Sequence, residues 1–331
     1  MNYIGSKRKL SEFINRTVHE VCGNDLSDKV FCDLFAGTGV VGRNFKTKTK
    51  QVIANDLEYY SYVLNRNYIE NSDPLEGDKL LEELNRLQGK NGFIALQYGE
   101  NGAAGRLYFS QENAQKIDAI RQQIEAWMQD NTLTQDQYFF LLASLIESAD
   151  KVANTASVYG AFLKHIKKSA ARPLELIPAR FEETSTTHRA YQEDGNVLIH
   201  KVEGDILYLD PPYNSRQYGA NYHLLNTIAK YDTFVPRGKT GLRNYNKSAY
   251  SSKNEVATAF EELIKNAQFK YVFLSYNNEG LMSPELVKNI LSKYGKYDLA
   301  TTEYQRFKAD KKQNRNHKTN STTEYLHILE K

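Results

Sequence analysis

The chain has 331 residues, of which 40% are hydrophobic and 25% are charged, a balance typical of a packed globular protein rather than a disordered one. Its net charge of +3 is too small to predict a nucleic-acid partner, and no apolar run approaches the ~18 residues that a membrane span needs. Cys22 and Cys32 fit neither a disulfide framework nor a zinc site, and the seven histidines show no metal-ligand spacing. Because the first residues lack a signal-peptide pattern, we expect a cytoplasmic protein without a metal or a membrane partner.

The predicted elements begin with a strand over 30–35, a glycine turn, a strand over 52–54 and a helix over 57–69. This alternation predicts a parallel α/β sheet. Residues 73–192 are mostly helical in pattern, with apolar residues at helical spacing in 111–128 and 138–146. The alternation then returns, with strands over 206–209, 271–275, 299–304 and 323–329 and helices over 222–231 and 284–291. We therefore predict a discontinuous sheet domain, 1–72 and 193–331, interrupted by a largely helical insertion, 73–192.

A glycine-rich turn follows the first predicted strand, and its candidate ligand-binding residues are Asp33, Leu34, Phe35, Gly37, Thr38 and Gly39. Glycine lets the backbone turn tightly and approach a ligand closely. Asp56 ends the next strand, where an acid either accepts hydrogen bonds from ribose hydroxyls or only caps the following helix. A carboxylate at Asp33 would repel a pyrophosphate but suits the cationic methionine part of S-adenosylmethionine. These residues favour that cofactor over a dinucleotide.

The most specific motif is Asp210-Pro211-Pro212-Tyr213, which follows the apolar strand over 206–209. Ligands of open α/β sheets bind at this edge of the strands. The Asp210 carboxylate and a carbonyl of the proline turn can both accept hydrogen bonds from an exocyclic amine and aim it at a methyl group. Tyr213 can stack on a base that has been flipped out of a duplex. The motif thus predicts methyl transfer to a base amine, rather than a plain strand-ending turn.

Together these motifs resemble, over nearly the whole chain, the Dam-type (alpha-group) DNA adenine methyltransferases of restriction-modification systems. Residues Tyr3, Gly5, Ser6 and Lys7 resemble the N-terminal cofactor motif of that family, and Phe35 to Gly39 its F-x-G-x-G motif. Asp56 is similar to its ribose-binding acid, Asp194 to an acid near the cofactor's adenine, and Asp210 belongs to both the cofactor and the catalytic sets. The stretch from Asp210 to Tyr218 resembles the subgroup of the FokI and NlaIII methylases.

The resemblance implies a Rossmann-like S-adenosylmethionine-dependent sheet whose helical insertion holds the target-recognition region. It also implies site-specific methylation of the N6 amine of a flipped adenine in double-stranded DNA. The implied protein is a monomer that protects host DNA from a cognate restriction endonuclease. Tyr276, Asn277 and Asn278 follow a strand where the family often has a polar active-site turn, although asparagine there is usually only a turn residue.

Basic residues gather in two loops whose charge favours contact with DNA phosphates over a merely solvated role. The candidate DNA-binding residues are Arg216, then Arg237, Lys239, Arg243 and Lys247, and in the last loop Lys308, Lys311, Lys312, Arg315 and Lys318.

Three alternatives remain open from the sequence. The acceptor could be an RNA adenine or a cytosine amine. The run Gly37 to Gly42 satisfies the G-x-G-x-x-G pattern of dinucleotide-dependent oxidoreductases, although that class leaves Asp210 to Tyr213 unexplained. The chain could also be a binding module that has lost catalysis.

Overall fold

A computed structural model describes residues 7–305 and 321–331 of the chain. The described residues divide into two compact units. We call the first the sheet unit, which comprises 7–57, 186–217 and the described part of 247–331. We call the second the helical unit, which comprises Glu58–Ser185 and Tyr218–Asn246.

The helices and strands are numbered along the chain. They are α1 (Ser11–Cys22), β1 (Val30–Asp33), α2 (Val40–Lys46), β2 (Gln51–Asn55), α3 (Tyr59–Asn65), α4 (Asp78–Arg86), α5 (Phe93–Tyr98), α6 (Gln111–Gln129), α7 (Gln135–Lys151), β3 (Arg189–Tyr191), α8 (Gly195–Leu198), β4 (Glu203–Leu209), α9 (Tyr218–Asn221), α10 (His223–Lys230), α11 (Val256–Asn266), β5 (Gln268–Asn277), α12 (Pro284–Leu291), β6 (Lys296–Gln305) and β7 (Ser321–Glu330). A π-helical turn, Arg66–Glu70, continues α3.

The sheet unit is built on one seven-stranded sheet in the order β3-β2-β1-β4-β5-β7-β6. The first five strands of that order pair in parallel, whereas β7 pairs antiparallel with both β5 and β6. This mixed sheet confirms the predicted Rossmann-like α/β fold. The strand β3 was not predicted, because its three residues lie at the sheet edge, partly exposed, and carry no apolar alternation.

The strand order reverses between β1 and β4. The chain leaves β1 towards β2 on one side, and β4 pairs with β1 on the other. Such a switch point leaves a crevice at the carboxyl ends of the two strands, where open α/β sheets bind ligands. Asp33 ends β1 and Asp210 directly follows β4, so the fold brings the two predicted motifs to this crevice.

The helical unit has a core of its own, formed by side chains of α3 to α7 and α10. Its first segment, Glu58–Ser185, begins before and ends before the predicted insertion, 73–192. The unit also includes a second segment, Tyr218–Asn246. Tyr60, Val63 and Leu64 of α3 are buried in its core, as are Leu224, Leu225 and Ile228 of α10. A discontinuous unit of this kind does not show in local periodicity, because the segments that complete its core are far apart in the chain.

Local signals account well for the long helices of this unit. The Ser110 side chain accepts a hydrogen bond from the backbone of Asn113 at the start of α6, and Thr134 and Gln137 form a capping box at the start of α7. The prediction of a helix over 111–128 is confirmed to within one residue. None of the helices in the described part of the chain is long and apolar enough to cross a membrane.

Candidate active site

The glycine turn after β1 has the backbone conformation that its sequence predicts. Gly37 and Gly39 have φ values of 54° and 75°, which side chains with a Cβ atom rarely adopt. The backbone N–H of Gly37 donates a hydrogen bond to Asp56 Oδ2 at 2.9 Å. Asp56 therefore supports the turn and does not serve only as a helix cap, since α3 begins after Glu58 without a side-chain cap.

Asp33 is almost fully buried at the end of β1. Its Oδ2 accepts a hydrogen bond from the backbone N–H of Gly42 at 3.1 Å, which ties the strand to α2. Its Oδ1 has no hydrogen-bond partner among the described residues. Burial raises the pKa of Asp33 to about 8, and the nearby charge of Asp210 adds to the effect. The Asp33 carboxyl group is thus a weak acid in this structure, and a cation beside it would favour its ionised form.

Asp210 follows β4 and is held by Lys7. The Lys7 Nζ lies 3.1 Å from Asp210 Oδ1 and 4.0 Å from Glu324 Oε2, with side-chain exposures of only 7%, 18% and 11% for Lys7, Asp210 and Glu324. Burial disfavours the Lys7 ammonium, but the two carboxylates outweigh that effect and raise its pKa above the ordinary value. Burial also raises the pKa of Asp210, and Lys7 opposes the rise. One ammonium thus serves two carboxylates.

The turn after Asp210 is anchored at Tyr213. The carbonyl oxygen of Tyr213 accepts a hydrogen bond from the backbone N–H of Leu281 at 3.0 Å. Its half-buried ring contacts Tyr276 edge to face, with 6.4 Å between ring centres. Burial raises the pKa of Tyr213, so its hydroxyl stays protonated at neutral pH. These contacts hold the aromatic face of Tyr213 in a defined place.

The sequence did not predict Glu324. It lies near the start of β7, opposite Asn277, the last residue of β5, and is 8% exposed. A signal was present in the sequence, since a carboxylate in a predicted buried strand requires a partner. The partner, Lys7, is more than 300 residues away in the chain, so local reasoning could not identify it.

A second aromatic residue that the sequence did not single out lies beside the glycine turn. Tyr250 contacts the ring of Phe35 at 5.0 Å between ring centres and donates a hydrogen bond to Asn196 Oδ1 at 2.7 Å. Asp194 is exposed and caps the short helix α8 through the backbone N–H of Asn196 at 2.8 Å. Phe35, Asp194 and Tyr250 therefore belong to one locality of the sheet unit.

The predicted DNA-binding residues differ in the solvent exposure of their side chains. Arg216, Arg237, Lys239 and Lys247 are exposed. Arg243 is not, because its side chain is 9% exposed and its two terminal nitrogens bind the Asp232 carboxylate at 2.9 and 2.7 Å. The Arg243 guanidinium is thus paired with a carboxylate and is less accessible to a phosphate than the other four side chains. Several other predicted residues lie outside the described part of the chain, namely Tyr3, Gly5, Ser6, Lys308, Lys311, Lys312, Arg315 and Lys318.

Within the helical unit, Arg237 and Lys239 lie on a tight turn. Arg237 and Leu242 exchange two backbone hydrogen bonds, of 2.9 and 2.8 Å, and close a four-residue loop with left-handed glycines at 238 and 241. The Tyr98 hydroxyl donates to the carbonyl of Gly241 at 2.6 Å. Arg106 donates to the carbonyls of Gly238 and Lys239, each at 3.3 Å. The hydrogen bonds from Tyr98 and Arg106 thus stabilise one conformation of the turn.

Comparison with known proteins agrees with this geometry. Residues 3–290 match the family described as D12 class N6 adenine-specific DNA methyltransferase. The chain is 63% identical to the type II methyltransferase M.NlaIII of Neisseria lactamica, an alignment that covers 100% of this chain and 99% of that protein. It is 40% identical to M.CviAII of Paramecium bursaria Chlorella virus 1, with 93% of each chain covered.

The type II methyltransferase M.FokI of Planomicrobium okeanokoites is 39% identical over the full chain, which spans 53% of that longer protein. The family match covers most of the chain, and it contains both the glycine turn and the Asp210 motif. The chain belongs to the D12 class of N6 adenine-specific DNA methyltransferases.

Proposed function

We propose that the Asp210 turn carries out the N6-adenine methylation that defines the family, with S-adenosylmethionine as the methyl donor and duplex DNA as the substrate. The observation that carries the proposal is the arrangement at Asp210. Its Oδ1 is held by Lys7, while no hydrogen bond within the described residues reaches its Oδ2. Among the described residues, one oxygen of this carboxylate is therefore held by Lys7, and the other is left for the adenine amine in our proposal.

The residues around the crevice fit the proposed donor. S-adenosylmethionine, when bound, supplies a methyl group that its cationic sulfur makes electrophilic. Asp56 could hold ribose hydroxyls, since it already accepts from the turn at Gly37. Asp33 has an unpartnered buried oxygen and a pKa of about 8, and a cationic group beside it would stabilise its ionised form. Lys7, Phe35, Thr38, Gly39 and Asp194 complete the proposed set.

Two acceptors would position the adenine amine. Asp210 Oδ2 is one, and a carbonyl of Pro211 or Pro212 is the other, because neither carbonyl accepts a hydrogen bond within the described chain. The lone pair of an aromatic amine is delocalised into the ring. Acceptors on its two hydrogens favour a pyramidal nitrogen with that lone pair available and aimed. Tyr213 would stack on the flipped base.

Exposed basic residues would bind the DNA backbone. We propose Arg216, Arg237, Lys239 and Lys247 for this role, together with the basic residues of 308–318, and we propose that the helical unit contributes target recognition. A phosphate contact of this kind gives a strongly salt-dependent affinity without reading the sequence.

The biological setting is proposed from the relatives. M.NlaIII and M.CviAII are named as type II methyltransferases, which supports a role in a restriction-modification system. The chain would then protect DNA against a cognate endonuclease while acting as a monomer. We place it in the cytoplasm, since both cysteines are free thiols and its proposed substrate is cellular DNA.

The test is transfer of a labelled methyl group from S-adenosylmethionine to unmethylated genomic DNA, with RNA as a parallel acceptor and nucleoside analysis of the products. We expect label in N6-methyladenine of DNA at one short sequence motif. Label confined to cytosine, or to RNA, would replace the proposed acceptor. An unlabelled nucleic acid in the presence of bound donor would overturn the proposed function.

A further inference from the structure

A buried carboxylate, that of Glu324, lies near Lys7, and the proposed reaction assigns it no role. Glu324 lies on β7, the antiparallel strand beyond β5, whereas the two predicted motifs follow β1 and β4. It is 8% exposed, and its Oε2 has no hydrogen-bond partner in the described part of the chain. A buried carboxylate costs free energy unless a charge or a hydrogen bond compensates it. Its compensation is Lys7, 4.0 Å away.

We propose that Glu324 is a positioning residue that shares the Lys7 ammonium with Asp210, so that this ammonium does not fully neutralise the ionised Asp210 carboxylate when the adenine amine arrives. This inference rests on the proposed function and deepens it. With both carboxyl groups ionised, the cluster carries one positive charge, on Lys7, and two negative charges, on Asp210 and Glu324, a net charge of −1.

The geometry explains why the sharing matters. In an isolated pair, a buried ammonium at 3.1 Å would neutralise the Asp210 carboxylate and weaken it as an acceptor. The second carboxylate near Lys7, that of Glu324, offsets part of the ammonium's field at Asp210. The shorter contact still fixes Asp210 Oδ1. The longer contact, between Lys7 and Glu324, adds a second negative charge near the ammonium and does not involve Asp210 Oδ1.

Other polar groups around Glu324 are consistent with an ionised side chain. Burial raises its pKa, and the Lys7 ammonium and the nearby Asn277 side chain, opposite Glu324 on β5, oppose the rise. The Asn277 side chain is itself fixed, because its Oδ1 accepts from the backbone N–H of Glu279 at 3.0 Å. The other charged and titratable groups that interact with this cluster are Asp33, Tyr208, Tyr213, Arg216 and Glu279.

The decisive variant is Glu324→Gln, which keeps the shape of the side chain but removes its charge. We expect kcat to fall by about tenfold, with KM for DNA and donor within about twofold of wild type. Removing the Glu324 charge also lowers the pKa of Asp210, because a like charge nearby disfavours its ionised form. The acidic limb of the kcat profile should therefore move to lower pH. Glu324→Asp should recover part of kcat.

Glu330→Gln is the matched control, since it makes the same change on the same strand, six residues from Glu324. A purely structural role for Glu324 predicts a different result. The Gln variant would then retain the wild-type kcat and acidic limb, or both Gln and Asp variants would lose activity with their thermal stability and without a shift of the limb. Either pattern would overturn the proposal.

A measurement that does not depend on catalysis can test charge sharing separately from the proposed reaction. We would follow the Lys7 ammonium by 15N NMR as pH rises. It should lose its proton at lower pH in the Glu324→Gln protein than in wild type, because one stabilising carboxylate is gone. If wild type fails to methylate DNA but the Lys7 titration shifts, charge sharing stands and the reaction assignment falls. An unshifted Lys7 titration sinks charge sharing, whatever the activity.

Discussion

Asp56 supports the glycine turn, and we propose a second task for the same carboxylate, which is to bind the ribose of the donor. One oxygen holds the backbone of Gly37 in its left-handed conformation, and the carboxyl group lies at the end of β2, where ribose hydroxyls are bound in open α/β folds. The glycine turn would therefore lose its support and its ligand contact together if Asp56 were truncated.

We predict that Asp56→Ala raises the dissociation constant for S-adenosylmethionine by about tenfold, which corresponds to the loss of ~1.4 kcal/mol of binding free energy. Titration calorimetry with the donor measures it. Asp205→Ala is the control, because Asp205 also accepts one backbone N–H, that of Val30 at 2.8 Å, but at the opposite ends of β1 and β4. Equal loss of affinity in both variants would show that the effect is only one of stability.

Sequence reasoning succeeded for residues whose chemistry is contained in a short segment. Asp210 to Tyr213 follow a visible apolar strand, and Gly37 and Gly39 follow another, so their places at the sheet edge could be inferred. Glu324, Tyr250 and the Arg243–Asp232 pair could not, because their roles depend on partners brought near by the fold. Burial decides the charge of Asp33, and no local pattern reports it.

The turn at 237–242 shows how an element of the helical unit presents basic side chains. It is closed by the Arg237–Leu242 pair and supported by Tyr98 and Arg106, so Arg237 and Lys239 project from a fixed backbone. Preorganisation of this kind avoids part of the ordering cost on binding. A phosphate contact made by these residues would then depend on that support.

Two glycines of this turn provide a matched test. Both have left-handed φ values, 64° for Gly238 and 70° for Gly241, but a Cβ atom at Gly241 would lie 2.8 Å from Arg106 and Tyr98, whereas at Gly238 it would meet nothing within 4 Å. We predict that Gly241→Ala weakens DNA affinity more than Gly238→Ala does, and flattens its dependence on salt. Fluorescence anisotropy at two salt concentrations measures both. Identical affinities for the two variants would contradict a role for the supported turn.

The secondary-structure elements themselves were predicted unevenly. The predicted helix over 284–291 has the same bounds as α12, and Ser283 and Pro284 mark its start. The strand β3 was missed, and so was the discontinuity that joins α3, α7 and α10 into one core. Strong local signals were readable, whereas assignments decided by packing between distant segments were not.

In the whole molecule, the residues that we propose for catalysis and those that we propose for target recognition belong to different units. The sheet unit contains the whole Lys7, Asp210 and Glu324 cluster and the glycine turn, and the helical unit contains its own core and the supported basic turn. The overall charge of +3 reveals little of this, because basic loops are offset by acids elsewhere. Charge distribution, rather than net charge, carries the information about DNA.

In the proposed mechanism, the Asp210 carboxylate enables methyl transfer to the adenine amine. The single-turnover rate of transfer to duplex DNA in the Asp210→Ala protein tests this role. Glu324 remains to balance the buried Lys7, so we expect this variant to fold, as circular dichroism and its thermal midpoint would check. The predicted rate is at least ~10³-fold below wild type. A folded Asp210→Ala protein that methylates adenine at a rate near wild type would contradict the account.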